Sequence, residues 1–192
     1  MEIKGAKIVV IGGGTGSFTL LSGLKHYASD ITAIVNMADD GGSTGQLRDE
    51  LGVLPPGDVR QCLVALSDSP RVRDLFNYRF EEGSFEGHAF GNLFLTALEK
   101  MTGSFAEAVD VADEVLNVRG RVVPVTLDNV HLIMRQRNGD DIIGEYQIGN
   151  MKFDLGEERP NLELSPPAEI NIDAKKAIDD ADIVVIAPGN LY

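Results

Sequence analysis

A chain of 192 residues that is 43% hydrophobic and 24% charged can bury one substantial core, which excludes disorder as its expected state. Lys and Arg total 17 against 30 Asp and Glu, a formal charge of -13 with no basic run, and this excludes nucleic acid as the expected partner. Phosphate on a small ligand stays compatible, because backbone N–H groups and helix N-termini bind it without net positive charge.

The opening AKIVVIGGGTGSFTLLSGLKHYA reads as strand, glycine turn and helix, with Phe18, Leu21, Leu24 and Tyr27 on one helical face. DITAIVNM follows as a second buried strand, so residues 6 to 36 form a βαβ unit with parallel strands and a right-handed crossover. The apolar run at the N-terminus is too short, and too soon broken by glycine, for a signal peptide or membrane span. With Cys62 the single cysteine, no intramolecular disulfide is expected and a cytoplasmic location is. Cys62 lies in DVRQCLVALS beside Val59 and Leu66 at helical spacing, which reads as a small buried apolar residue.

Pro55 and Pro56 stop any preceding helix, and Asp58 can cap or begin the next one. Helical segments continue through RVRDLFNYRF, GHAFGNLFLTALEKM and SFAEAVDVADEVLN, the last with Ser104 and Glu107 in capping-box spacing. RVVPVT and NVHLIMRQRNGDDIIGEYQIG then read as an antiparallel excursion around an Asn138-Gly139 turn, with Arg135, Arg137, Asp140 and Asp141 as its solvated charges. A Pro-interrupted loop, a short helix and the buried strand DIVVIAPG close the chain. The expected fold is α/β, a mostly parallel sheet with helices on both faces and an antiparallel hairpin excursion. A helix normally follows such a last strand, so the chain is expected to be one domain and the N-terminal part of a longer protein.

Three motifs carry candidate chemistry. IVVIGGGTGS can bring backbone N–H groups to a phosphate at a helix N-terminus, although Ser17 stands where the dinucleotide fingerprint has its third glycine and Asn36 where it has an acid. ADDGGSTG reaches the same edge of the sheet from the second strand. Asp39 and Asp40 point apart in extended chain, so one can face a ligand while the other caps a turn. In GHAFGNLFL, His88 and Asn92 lie four apart and would share a face if both were helical. Arg60 suits either a phosphate or an ion pair with Asp58 or Glu50, and His26 and His131 read as surface or packing residues.

Taken in order, GGGTGS, ADDGGSTGQLR, LPPGDVRQCLVALS, GHAFGNLFLTAL, VLNVRGRVVPVT and ADIVVIAPGNLY closely resemble the gluconeogenesis factor family, the YvcK-like branch of the CofD/YvcK superfamily. That resemblance implies a Rossmann-like fold with a nucleotide-bearing ligand where the glycine loops meet. By motif it puts Gly12, Gly13, Gly14, Thr15, Gly16 and Ser17 at the nucleotide. It lines the central pocket with Asp39, Asp40, Gly41, Gly42, Ser43 and Thr44, completed by His88, Gly91 and Asn92. Gly189, Asn190 and the residues to Tyr192 would form a second phosphate-approaching loop. Gln46 and Asn190 depart from the Arg and Ser expected of the family.

The resemblance supports two readings that use the same loops. In the first the protein binds a UDP-sugar such as UDP-N-acetylglucosamine, needs no cofactor and serves gluconeogenic growth, cell shape and cell-wall precursor supply through a downstream protein partner. In the second it is a 2-phospho-L-lactate transferase-like enzyme that moves a phospholactyl-type group from a nucleotide donor to a deazaflavin alcohol. Asp39 or Asp40 would then be catalytic, and Asp40 would hold Mg²⁺. The family branch favours the first, and no aromatic cluster stands out in the sequence as a platform for a deazaflavin ring. A homo-oligomer is the expected full-length state.

Overall fold

The computed structural model describes residues 5–135, 141–151 and 161–189. Strand β1 (Lys7–Gly12), helix α1 (Gly14–Leu24) and strand β2 (Asp30–Val35) build the expected βαβ unit. The strands pair in parallel from Lys7 opposite Asp30 to Gly12 opposite Val35. Five helices then run in succession: α2 (Gly42–Leu51), α3 (Pro56–Leu66), α4 (Pro70–Asn77), α5 (Phe90–Thr102) and α6 (Phe105–Leu116). Prolines open α3 and α4, where the missing N–H costs nothing and the fixed φ suits the first turn. Ser104 caps α6 by accepting from the Glu107 N–H.

Strand β3 (Arg121–Pro124) corrects the reading of RVVPVT as antiparallel. It pairs in parallel with β2, from Thr32 opposite Arg121 to Val35 opposite Pro124, as an edge strand whose proline comes last. The excursion proper is β4 (His131–Arg135) with β5 (Ile142–Ile143), antiparallel as expected. The Asn138-Gly139 turn between them lies outside the described residues. Two features of this excursion were unexpected: EYQIG turns into the short helix α7 (Glu145–Gly149), and β6 (Asn161–Ser165) pairs with the other edge of β4. Helix α8 (Ile172–Asp179) leads to β7 (Ile183–Ile186), parallel to β1. The main sheet therefore has the order β3-β2-β1-β7, all parallel, and the smaller one the order β5-β4-β6.

One face of the main sheet carries the bulk of the core. There α3 is apolar nearly all round, with Val59, Leu63, Val64, Ala65 and Leu66 wholly buried among α1, α5, α6 and the strands. Truncating Leu63 to alanine is expected to cost roughly 2–5 kcal/mol. Cys62 is buried in this layer, where burial pushes its thiol up to about 12, so it packs as a small apolar residue. The other face is thinner: Ala174 of α8 packs on Val9, Ile34 and Val123. A central helix so tightly enclosed holds its N-terminal turn in place, with Asp58 beside the loop after β1.

Candidate functional site

All four parallel strands end at one edge of the sheet, and β1 lies between β2 on one side and β7 on the other. The chain changes direction across the sheet there, at the topological switch point where α/β folds commonly place ligands. Gly189 follows β7 at this edge, while Asn190 lies outside the described residues. The loop after β1 touches the loop after β7 so closely that a Cβ on Gly16 would collide with the Pro188 carbonyl. Thr15 is exposed in the first turn of α1. Ser17 is 1% exposed, with its hydroxyl against Gly12, so it supports the loop from below.

Asp58 is the residue that sequence reasoning missed at this loop. It sits in the first turn of α3, and its carboxyl lies where a Cβ on Gly13 would be. Burial, then the Asp39 carboxylate and Glu145, push it up to about 7, against the opposing pull of the Gly14 N–H. The signal was available: Asp58 follows two prolines and a glycine, in a helix whose other side is core.

The second loop separates its two acids. Asp39 accepts the Gly41 N–H at 3.0 Å with Oδ1, while Oδ2 lies against Gly57, so it faces α3 and Asp58. Asp40 turns the opposite way, accepting the Tyr146 N–H at 2.8 Å with Oδ1 and setting Oδ2 against Gly144. Its carboxylate thereby caps α7 from outside the helix. Among the described residues no group of three or more His, Cys, Asp or Glu is arranged to hold a metal ion.

Arg48, also missed, locks this loop from beneath. It is buried, and it donates to Asp39 O at 2.9 Å, Asn129 Oδ1 at 2.6 Å and Val130 O at 2.7 Å. Burial lowers its pKa, against the pull of Asp40 and Asp39. Glu145 belongs to the same cluster, its carboxyl raised by burial and by Asp39 and Asp40. The sequence gives no sign of it, because EYQIG continues an antiparallel strand pattern and its contact with Asp40 is purely tertiary.

Gly41, Gly42, Ser43 and Thr44 carry the chain from Asp40 into α2, whose N-terminus has no side-chain cap and no acid in its first turn. Its free N–H groups and dipole suit an anion. Here His88 and Asn92 join the site, by a route the sequence did not suggest. His88 lies outside α5, two residues before its start, so the two do not share a helical face. Ser43 joins them instead, with Oγ 2.9 Å from His88 Nδ1 and 3.1 Å from Asn92 Nδ2. Gly91 completes the contact, since a Cβ there would strike the Arg60 side chain and Phe76.

Arg60 does not form the ion pair with Asp58 or Glu50 that was one of its two readings. Its Nε donates to Asn92 Oδ1 at 2.9 Å and its Nη1 to Asn77 Oδ1, with no carboxylate in salt-bridge range among the described residues. Burial first, then Arg79, lower its pKa, against Asp58 and Asp39. Beside His88 the chain also gathers aromatic rings that the sequence did not reveal as a cluster. Tyr78 and Phe80 meet edge to face at 5.2 Å, Phe80 and Phe85 lie 5.6 Å apart, and Tyr78 and Phe85 are exposed. Backbone bonds Phe80 N to His88 O and Phe90 N to Tyr78 O tie this cluster to the pocket.

The family described as 2-phospho-L-lactate transferase CofD matches residues 8–192. The chain is 46% identical to the gluconeogenesis factor of Bacillus subtilis over 192 residues, 97% of this chain and 58% of that one. It is 43% identical to the gluconeogenesis factor of Listeria innocua, over 97% of this chain and 58% of that protein. A crystal structure of a Bacillus halodurans protein superposes with a TM-score of 0.89 at 43% identity, covering 97% of this chain and 60% of that one. The chain thus spans less than two thirds of each of these relatives.

Proposed function

We propose a function on the premise, plain from the match over residues 8–192, that this chain belongs to the CofD family. Its relatives carry the name gluconeogenesis factor, and it is with that branch that it shares 43–46% of its residues. The reading the geometry supports best is a regulatory protein that binds a nucleotide-linked anion, of the UDP-N-acetylglucosamine type, where the glycine loops converge. The observation that carries it is the meeting of the loops after β1, β2 and β7 at the switch point, beside the uncapped N-terminus of α2.

In this reading the ligand's phosphates lie along the N–H groups of α2, with Ser43 and His88 as polar contacts. Asp39 faces the same space and can accept a sugar or ribose hydroxyl. Asp58 keeps anions away from the first loop when charged and admits them when protonated, so anion affinity falls as pH rises through about 7. The bound state is then passed to a protein partner in support of gluconeogenic growth, cell shape and cell-wall precursor supply.

A transferase reading is favoured by one observation, the exposed Tyr78 and Phe85 beside the pocket, which offer faces to a flat ring. Calorimetry and thermal shift on the full-length protein with UDP-N-acetylglucosamine, UDP-glucose, NAD, GTP and a deazaflavin separate the two. The regulatory reading expects stabilisation by UDP-sugars without turnover. Stabilisation by the deazaflavin with product formation, and indifference to UDP-sugars, overturns it.

A further inference from the structure

We infer that Arg60 is a positioning residue that, through Asn92 and Ser43, holds His88 as the neutral tautomer with its hydrogen on Nε2. A guanidinium only donates, and it keeps its proton at any working pH. Arg60 Nε lies 2.9 Å from Asn92 Oδ1, and an amide nitrogen in that place would set donor against donor. The orientation of Asn92 is thereby forced, so its Nδ2 faces Ser43 Oγ at 3.1 Å and donates to it.

Ser43 has one hydrogen to give, and its oxygen is 2.9 Å from His88 Nδ1. If Nδ1 carried a proton, Ser43 would accept from both neighbours and its own hydrogen would have no acceptor among the described residues. A bare Nδ1 satisfies every group in the chain, which places the ring hydrogen on Nε2. Water does not readily substitute for these links, because Arg60 is 8% exposed, Asn92 3% and Ser43 7%. Asn77 takes Nη1 and anchors the guanidinium on its other side.

The consequence is selectivity. Nε2 has no protein partner among the described residues and the residue is half-buried, so the Nε2 hydrogen is free to donate to a bound group. A donor selects an acceptor, and with the Arg60 charge behind it, an anionic oxygen such as a phosphoryl or carboxylate oxygen over an amine or a ring N–H. The tautomer stands on the hydrogen-bond geometry alone. Its use for a ligand rests on the pocket reading given under Proposed function.

Long-range ¹H–¹⁵N spectra of the full-length, unliganded protein, taken alkaline of imidazole's ordinary titration near ~6.5, read the tautomer directly. The expected pattern has a bare Nδ1 and a protonated Nε2 at His88, and the reverse overturns the proposal. Asn92→Asp puts a carboxylate where the donating amide was, so the Ser43 hydroxyl turns to it and the His88 pattern reverses. An unchanged pattern in a folded Asn92→Asp protein overturns the relay. Ser43→Ala gives a second check: both tautomers then appear, and a single locked tautomer counts against the role of Ser43. For the ligand step, His88→Phe lowers affinity for UDP-N-acetylglucosamine by about tenfold, and retained affinity overturns the donor role. Wild-type protein that shows the tautomer yet binds no UDP-sugar refutes the function proposed above and leaves the relay standing.

Discussion

The two glycine turns at the head of the sheet have similar sequences and differ in where their acidic groups come from: a helix supplies Asp58 to the first, and the second carries its own Asp39 and Asp40. After β1, GGGTGS meets the carboxyl of Asp58, which occupies the space beside Gly13. After β2, DDGGSTG feeds the uncapped N-terminus of α2 and is held by Arg48 below and the Arg60–Asn92–Ser43 chain alongside. A glycine motif by itself promises only close approach of a backbone. Whether that backbone meets an anion or an internal carboxylate depends on what the neighbouring helix carries.

The largest effect is expected where the first turn touches β7. Gly16→Ala pushes a methyl into the Pro188 carbonyl and is expected to cost about 3 kcal/mol, read as a lower denaturant midpoint with unchanged slope. A smaller loss, with the first loop intact, would show that the β7 loop yields. On the second turn, Arg48→Met removes three donated hydrogen bonds from a buried position and is expected to cost roughly 2 kcal/mol, since the acceptors lose a charged partner. Under the function proposed above, calorimetry should also find weaker UDP-sugar binding, because Asp39 loses its support.

The difference in electrostatics is tested by pH. The carboxyl of Asp58 is raised to about 7, so the folded state holds a proton there that the unfolded chain releases from the ordinary carboxylate range near ~4. Its contribution to stability is therefore present below ~4 and lost as pH rises to about 7. Asp113, raised to about 7 mainly by burial, acts in the same direction. Asp58→Asn should make stability at neutral pH about 1 kcal/mol higher and flatten part of the decline between these limits. A decline identical to wild type would assign it to the other raised carboxyls, Asp113, Glu145 and Glu99, and not to Asp58.

The smallest effect separates the paired acids. Asp40→Asn keeps an oxygen for the Tyr146 N–H and should cost about 0.5 kcal/mol while leaving ligand affinity nearly unchanged. Asp39→Asn, facing α3 and the pocket, should change affinity more than stability. Equal effects on affinity would place both carboxylates at the ligand.

Much of the architecture was legible because apolar runs and glycines have local causes. The βαβ unit, the capped α6 and the antiparallel pairing of β4 with β5 follow from periodicity, capping chemistry and turn residues. RVVPVT was misread because a short, β-branched strand looks alike in parallel and antiparallel sheets, and only the open edge of β2 decided its partner. Glu145 stayed hidden because a polar stretch after a hairpin strand carries no sign that it will turn back over Asp40.

What the sequence by itself determined is the class of fold, the edge of the sheet where the glycine loops gather and the residue types found there, since each follows from spacing along one chain. Only the tertiary structure decided their partners. It gave Asp40 to α7, set Asp58 beside the first glycine loop, and joined His88 to Asn92 through Ser43 across 49 residues of chain. Hydrogen bonds and carboxyl pKa values depend on neighbours a few ångströms away in space, and packing of α3 against α1, α2 and α5 supplies those neighbours.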